Sequence, residues 1–181
     1  MADGFCCPLS YFLKKSRRKE LKRLLNLLKP QYRFNRIADI EVKDLEKAGI
    51  KLVLLDADNT LSLHGSQEPM EGVFEWLFEI KKNGIVPVII SNNKEQRIKP
   101  FAEKLGLDFI SESAKPLSKG FKKACKKTGI KPSESAVIGD QIFTDVLGGN
   151  LFGAKVFLTE PIGDETDNFI KFKRKIEKFI R

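Results

Sequence analysis

The stretch Lys51-Leu52-Val53-Leu54-Leu55-Asp56-Ala57-Asp58-Asn59-Thr60-Leu61 passes from apolar to acidic within a few residues. Val53, Leu54 and Leu55 read as a buried strand. Asp56 and Asp58 then stand at its carboxyl end, where open α/β sheets hold their ligands. Two neighbouring carboxylates repel each other and resist burial, so a core does not favour them. A divalent cation and a phosphoryl group would account for both.

From this strand a rhythm of strands and helices extends toward the C-terminus. Strands are expected over 52–57, 85–90, 108–110, 135–138 and 155–158. Helices are expected over 71–83, 94–105, 117–128, 142–150 and 167–180. Val73, Phe74, Leu77 and Ile80 form the inward face of the first of these helices, with Trp76 among them as core. Gly49, Gly84, Gly106 and Gly129 each precede an apolar run, as helix-terminating glycines do. Such alternation predicts a parallel sheet with helices on both faces, a three-layer α/β/α Rossmann-like fold.

Upstream, residues 16–29 predict a helix with Leu21, Leu24, Leu25 and Leu28 on one face and basic residues on the other, ended by Pro30. From Lys14 to Arg36 there are ten Lys or Arg against one acid, Glu20; the last fifteen residues add six basic against two acidic. With a net charge of +9, the basic character therefore lies at the two ends and the middle is mildly acidic. We divide the chain into a basic extension, 1–36, and an α/β domain, 37–181.

No run reaches the roughly 18–20 apolar residues of a membrane span. The N-terminus lacks the basic-then-apolar order of a signal peptide. Cys6, Cys7 and Cys125 are an odd number of cysteines, and His64 is the only histidine, which disfavours a disulfide framework and a zinc site. These features predict a cytoplasmic protein. The Cys6-Cys7 pair could carry acyl chains, although nothing else nearby supports it.

Four strand ends carry polar residues of defined type: Asp56 and Asp58; Ser91-Asn92-Asn93; Lys115-Pro116; and Gly139-Asp140-Gln141-Ile142-Phe143-Thr144-Asp145. In a parallel sheet these tips share one edge. Phosphate-ester cleavage needs an in-line nucleophile, a proton donor for the leaving oxygen, and positive charge on the equatorial oxygens. Asp56 can attack, and Asp58 can protonate the leaving oxygen and later deprotonate water. Lys115 can hold a phosphoryl oxygen. Ser91, with Asn92 and Thr60, can bind the phosphate. Asp56, Asp140 and the carbonyl of Asp58 supply hard oxygen ligands suited to Mg²⁺. Asp145 would orient a metal-bound water or Lys115. Asn93 suits the cap of the helix that follows it. His64 lies near the expected mouth and reads as solvated or as a substrate contact.

Taken in order, Asp56-x-Asp58-x-Thr60, Ser91-Asn92, Lys115-Pro116 and Gly139-Asp140-x-x-x-Thr144-Asp145 resemble the four motifs of the haloacid dehalogenase (HAD) superfamily. Carrying the second acid, Asp58, is similar to its phosphatases. The runs Ile50–Leu61 and Gly139–Asn150, with Lys29-Pro30 and Glu160-Pro161-Ile162, look like the YqeG-type, IIIA-subfamily phosphatases. That branch includes relatives acting on phosphatidylglycerophosphate. Ala57 replaces a bulkier apolar residue common in the branch and leaves the chemistry untouched. The resemblance implies a Mg²⁺-dependent phosphomonoesterase working through an aspartyl-phosphate.

Asp58 and Ser91 are only 33 positions apart, and Ser91 and Lys115 only 24. Neither interval holds a cap domain, so the site should be open to bulky substrates. Phosphatidylglycerophosphate or a similar bulky anionic phosphate is the expected substrate, with residues 14–36 meeting an anionic membrane surface at its inner face. The competing readings are a phosphatase of a soluble metabolite or nucleotide, and a non-catalytic adaptor for membrane or protein that keeps the fold. No aromatic interleaving or known motif supports nucleic-acid binding.

Overall fold

The computed structural model describes residues 19–163, 171 and 175–177. Cys6, Cys7 and the basic Lys14, Lys15, Arg17 and Arg18 lie outside this range, as does most of the helix expected over 167–180, of which 171 and 175–177 are helical.

The leading stretch becomes strand β2, Leu52–Leu55, all four residues buried. Leu52 and Leu54 face one layer, packing with Val88, Ile90, Phe121 and Val137. Val53 and Leu55 face the other, with Ile80, Ile89, Phe101 and Phe157. This two-sided burial follows from a strand covered by helices on both faces. It explains a continuous apolar run in place of an alternating one.

The remaining strands are β1 (Tyr32–Phe34), β3 (Val86–Ile90), β4 (Asp108–Ile110), β5 (Ser135–Gly139) and β6 (Lys155–Thr159). They form one sheet in the order β1-β6-β5-β2-β3-β4. Every neighbouring pair is parallel. From β2 the chain winds outward through β3 and β4, then crosses back to β5 and winds the other way. The winding reverses between β2 and β5, the kind of crevice where such sheets bind ligands.

Helices α1 (residues 19–27), α2 (Val42–Lys47), α3 (Val73–Lys82), α4 (Glu95–Leu105), α5 (Lys119–Thr128) and α6 (Leu147–Phe152) connect the strands. Gly106 and Gly129 end α4 and α5 in the left-handed conformation, as their sequence positions predicted. Trp76 is core, with its indole N–H donating to the Ile40 carbonyl at 2.8 Å. Only α3 and β3 fill the interval from Asp58 to Ser91, and only α4 and β4 the interval to Lys115. The domain is capless.

Two elements depart from expectation. Strand β1 falls on the N-terminal side of the 36/37 division, yet it forms the sheet edge. Tyr32 stacks on Phe157 with ring centroids 4.4 Å apart, and Phe34 adds a second stack at 6.0 Å. The segment expected as one helix from 142 is instead a wide π-helical turn, Ile142–Val146, leading into α6.

Helix α1 docks by its last turn. Asn150 donates through its side-chain amide to the carbonyls of Leu27, at 2.8 Å, and Lys29, at 3.0 Å. Leu28 packs against Ile142, Val146, Val156 and Leu158. Leu21, Leu24 and Leu25 remain exposed.

Candidate active site

Strand β2 ends at Leu55, and the next residue keeps the ladder for one more bond. The Asp56 amide donates to the Ile138 carbonyl of β5 at 2.9 Å. This bond fixes Asp56 beside Gly139 and Asp140 at the reversal of the sheet. Asp140 and Asp145 are fully buried, and Asp56 nearly so. Asp56, Asp140 and Asp145 each bring a carboxylate oxygen within 4.8 Å of the others.

Lys115 stands among them. Its ammonium donates to Asp56 Oδ1 at 2.5 Å and to Asp145 Oδ1 at 2.7 Å. Burial works against the lysine charge, but Asp145 and Asp56 outweigh it and hold the ammonium above its ordinary value. Burial pushes the Asp56 carboxyl up to about 7; Lys115 opposes the shift and Asp145 adds to it. Three clustered acids, of which one lysine bridges two, form an oxygen-rich set that suits a hard divalent cation such as Mg²⁺.

The loop carrying Asp140 and Asp145 closes on itself. Asp145 Oδ2 accepts from the Gln141 amide at 3.2 Å and from Thr144 Oγ1 at 3.3 Å. Gly139 makes this possible. A Cβ there would stand 2.4 Å from Asp145 Cγ, so only glycine admits the carboxyl so close.

Asn92 holds the lysine loop. Its Oδ1 accepts from the Lys115 amide at 2.7 Å and from Ser113 Oγ at 2.9 Å, while its Nδ2 donates to the Lys115 carbonyl at 3.1 Å. Both ends of the side chain therefore serve the Lys115 backbone; the sequence had offered Asn92 as a phosphate ligand. Ser91 is buried at the same tip, and its Oγ accepts the Asn93 amide at 3.1 Å. Helix α4 begins after Lys94 with no side-chain cap, so Asn93 does not cap it. Thr60 is buried, and its hydroxyl has no hydrogen-bond partner among the described residues.

Asp58 faces a different set of groups. Its Oδ2 accepts from Asn93 Nδ2 at 2.5 Å. Oδ1 accepts from Arg97 Nη2 and from the Gly65 amide, both at 2.9 Å. An ionised carboxylate offers about four acceptor positions, so about one remains for a reacting group. His64 sits at the rim with Nδ1 3.9 Å from Asp58 Oδ1. Arg97 also donates to the Ser66 carbonyl at 2.9 Å, pinning the loop that follows β2. Sequence reasoning missed Arg97, although its place one turn into the helix after Ser91-Asn92-Asn93 puts it within reach of the strand tips.

The carboxylates of the cluster thus have two surroundings. One set lies on a buried floor with a lysine; the other acid, Asp58, lies on a polar rim. Such a pairing can supply a nucleophile and a proton carrier at one edge.

Comparison with known proteins bears on this arrangement. A family model described as haloacid dehalogenase-like hydrolase matches residues 13–153. The probable phosphatase YqeG of Bacillus subtilis is 37% identical over 144 residues, spanning 80% of this chain and 84% of that protein. The mitochondrial phosphatidylglycerophosphatase GEP4 of Saccharomyces cerevisiae is 27% identical over 151 residues, spanning 72% of this chain and 78% of its own. Among solved structures, a HAD family hydrolase from Deinococcus radiodurans, crystallised with phosphate and sodium, aligns with a TM-score of 0.55 at 18% identity. The alignment covers 70% of this chain and 88% of that one, and the likeness is one of fold.

Proposed function

The chain belongs to the haloacid dehalogenase-like hydrolases and is a phosphatase, and on that premise we propose that it hydrolyses a bulky anionic phosphomonoester, phosphatidylglycerophosphate, at a membrane surface. The observation that carries the chemistry is the Asp56–Lys115–Asp145 chain at the open edge where the sheet reverses.

In the first step an Asp56 oxygen attacks phosphorus, the ester P–O bond breaks, and Asp58 gives the leaving alkoxide its proton. In the second, Asp58 takes a proton from water, which attacks the aspartyl-phosphate; the bond to Asp56 breaks and phosphate leaves. Lys115 holds Asp56 for attack and faces the charge that gathers on the phosphoryl oxygens. Asp56, Asp140 and the Asp58 carbonyl would hold Mg²⁺, which neutralises phosphoryl charge when bound. Asp145 acts by orienting Lys115, to which it is bonded. The buried Thr60 and Ser91 side chains stand ready to support the phosphate.

The lipid assignment rests on three supports: the name of the yeast relative, the capless edge, and the exposed Leu21, Leu24 and Leu25 flanked by Lys19, Lys22 and Arg23. Apolar side chains that enter the interface beside basic ones suit anionic lipid, where each cation is worth about 1 kcal/mol. Among the described residues no helix is long and apolar enough to cross a membrane. The basic and apolar faces of α1 suit peripheral work at the cytoplasmic face.

Phosphate release from vesicles containing phosphatidylglycerophosphate, set against a panel of sugar phosphates and nucleotides, tests this reading. We expect higher kcat/KM for the lipid. Replacing Leu21, Leu24 and Leu25 together by serine should lower vesicle turnover and leave p-nitrophenyl phosphate hydrolysis unchanged. A preference for a soluble ester overturns the lipid assignment in favour of a metabolite or nucleotide phosphatase. Unchanged vesicle turnover in the leucine variant removes the membrane role of α1.

A further inference from the structure

Glu177 lies in the C-terminal helical segment, beyond the end of the family match at residue 153. Its neighbours Lys175 and Ile176 are exposed, yet Glu177 is only 1% exposed. Its Oε1 accepts the Ile142 amide at 2.8 Å and the Phe143 amide at 3.2 Å. A carboxylate next to two exposed residues has thus been brought 35 residues back along the chain to two backbone donors.

Those donors are placed between the two acids that matter. Ile142 and Phe143 open the π-helical turn Ile142–Val146. Asp140 lies two residues before Ile142, and Asp145 two residues after Phe143. The first amides of a helical turn have no partner within it, and they point toward anything bound at its start. A carboxylate there is favoured both by the hydrogen bonds and by the partial positive charge of the helix end. The turn is otherwise held by the Asp145 side chain, which reaches back to the Gln141 amide. Glu177 fixes the outer side of the loop and Asp145 the inner side. Removing Glu177 takes the acceptor from the buried Ile142 amide and from the half-buried Phe143 amide, between Asp140 and Asp145.

We propose that Glu177 is a positioning residue for the divalent-cation site: the C-terminal helix sets the spacing of Asp140 and Asp145 through the Ile142 and Phe143 amides. The inference rests on the reading of Asp56 and Asp140 as cation ligands. It assigns to the C-terminal segment a part in the active site that the four strand-tip motifs do not contain. Partners bonded directly to cation ligands typically govern affinity about 10- to 100-fold, and Glu177, bonded to the backbone beside Asp140, belongs at the lower end of that range.

Mn²⁺ binding followed by electron paramagnetic resonance on the full chain tests it, with thermal unfolding measured on the same samples. E177A should bind Mn²⁺ about 10-fold more weakly or worse. E177A that unfolds at a lower temperature but binds Mn²⁺ as the wild type does would make Glu177 a structural cap alone and overturn the proposal. Should E177A fail to fold, E177D, one methylene shorter, decides: weakened Mn²⁺ binding supports the proposal and unchanged binding overturns it. A wild-type protein that binds no Mn²⁺ overturns the cation reading itself, whereas equal binding by wild type and variants overturns only the role of Glu177.

Discussion

Asp56 and Asp58 are two residues apart and belong to two different regions of the site. Asp56 sits on the floor, tied to β5 through its backbone and to Lys115 through its side chain. Asp58 sits on the rim, held by Arg97 and Asn93 from the α4 side and by the Gly65 amide of its own loop. The floor is built from strand ends, whose positions the sheet fixes. The rim is built from loops and one helix turn, whose contacts are polar and partly exposed. The difference teaches that the same side chain acquires separate work from its partners: an oxygen held by a buried lysine for attack, and one held by amides and a guanidinium for carrying protons.

The largest test of this division removes the floor acid. Asp56→Asn keeps the shape and the bond to β5 but deletes the nucleophile; we expect hydrolysis of every ester to fall by about 10⁴-fold or more. Turnover of p-nitrophenyl phosphate that survives this change would break the comparison at its root. The next test removes the rim acid. Asp58→Asn should slow the first, ester-cleaving step by ~10²–10⁴ for an alkyl phosphate, whose leaving oxygen needs a proton, and much less for p-nitrophenyl phosphate, whose leaving group does not, while the water step slows alike for both. Equal losses of single-turnover p-nitrophenolate and alkyl-alcohol release would remove Asp58 as the proton donor to the leaving oxygen.

The smallest expected effect is on stability. In protein freed of cations, Asp56 titrates near 7 against an ordinary value of 3.8. Between those values the folded chain holds a proton that the unfolded chain has released, so this group's contribution to stability falls as pH rises through the window. Urea midpoints should therefore diverge, Asp56→Asn gaining on the wild type by ~2–4 kcal/mol from pH 4 to pH 8. A constant difference across that range would show that burial does not raise the Asp56 carboxyl and would erase the contrast.

The floor was legible in the sequence and the rim was not. Asp56, Asp140, Asp145 and Lys115 follow apolar runs at strand tips, and a parallel sheet brings such tips together whatever their neighbours are. The partners of Asp58 depend on how a loop and a helix turn meet, which no local pattern encodes. Asn93 illustrates this: its position before α4 suggested a cap, while the fold turns its amide to Asp58. Strand β1 was hidden for a related reason. Three residues, Tyr32–Phe34, carry too little periodicity to read, and their stability comes from stacking on Phe157, far along the chain. Glu177 is less legible still, a single acid in a basic segment whose partner is a pair of backbone amides 35 residues away.

At residue 139 the space that a methyl group would occupy is already filled by the carboxyl of Asp145. The sheet would accept almost any small residue at the end of β5, and the backbone there has no left-handed strain to excuse glycine. Identity at this position is therefore dictated by the room a neighbour's side chain takes and not by the strand. One added carbon would displace Asp145 and take from Lys115 one of the two carboxylates that hold it. A position that contributes no side chain at all is among the least replaceable in the molecule.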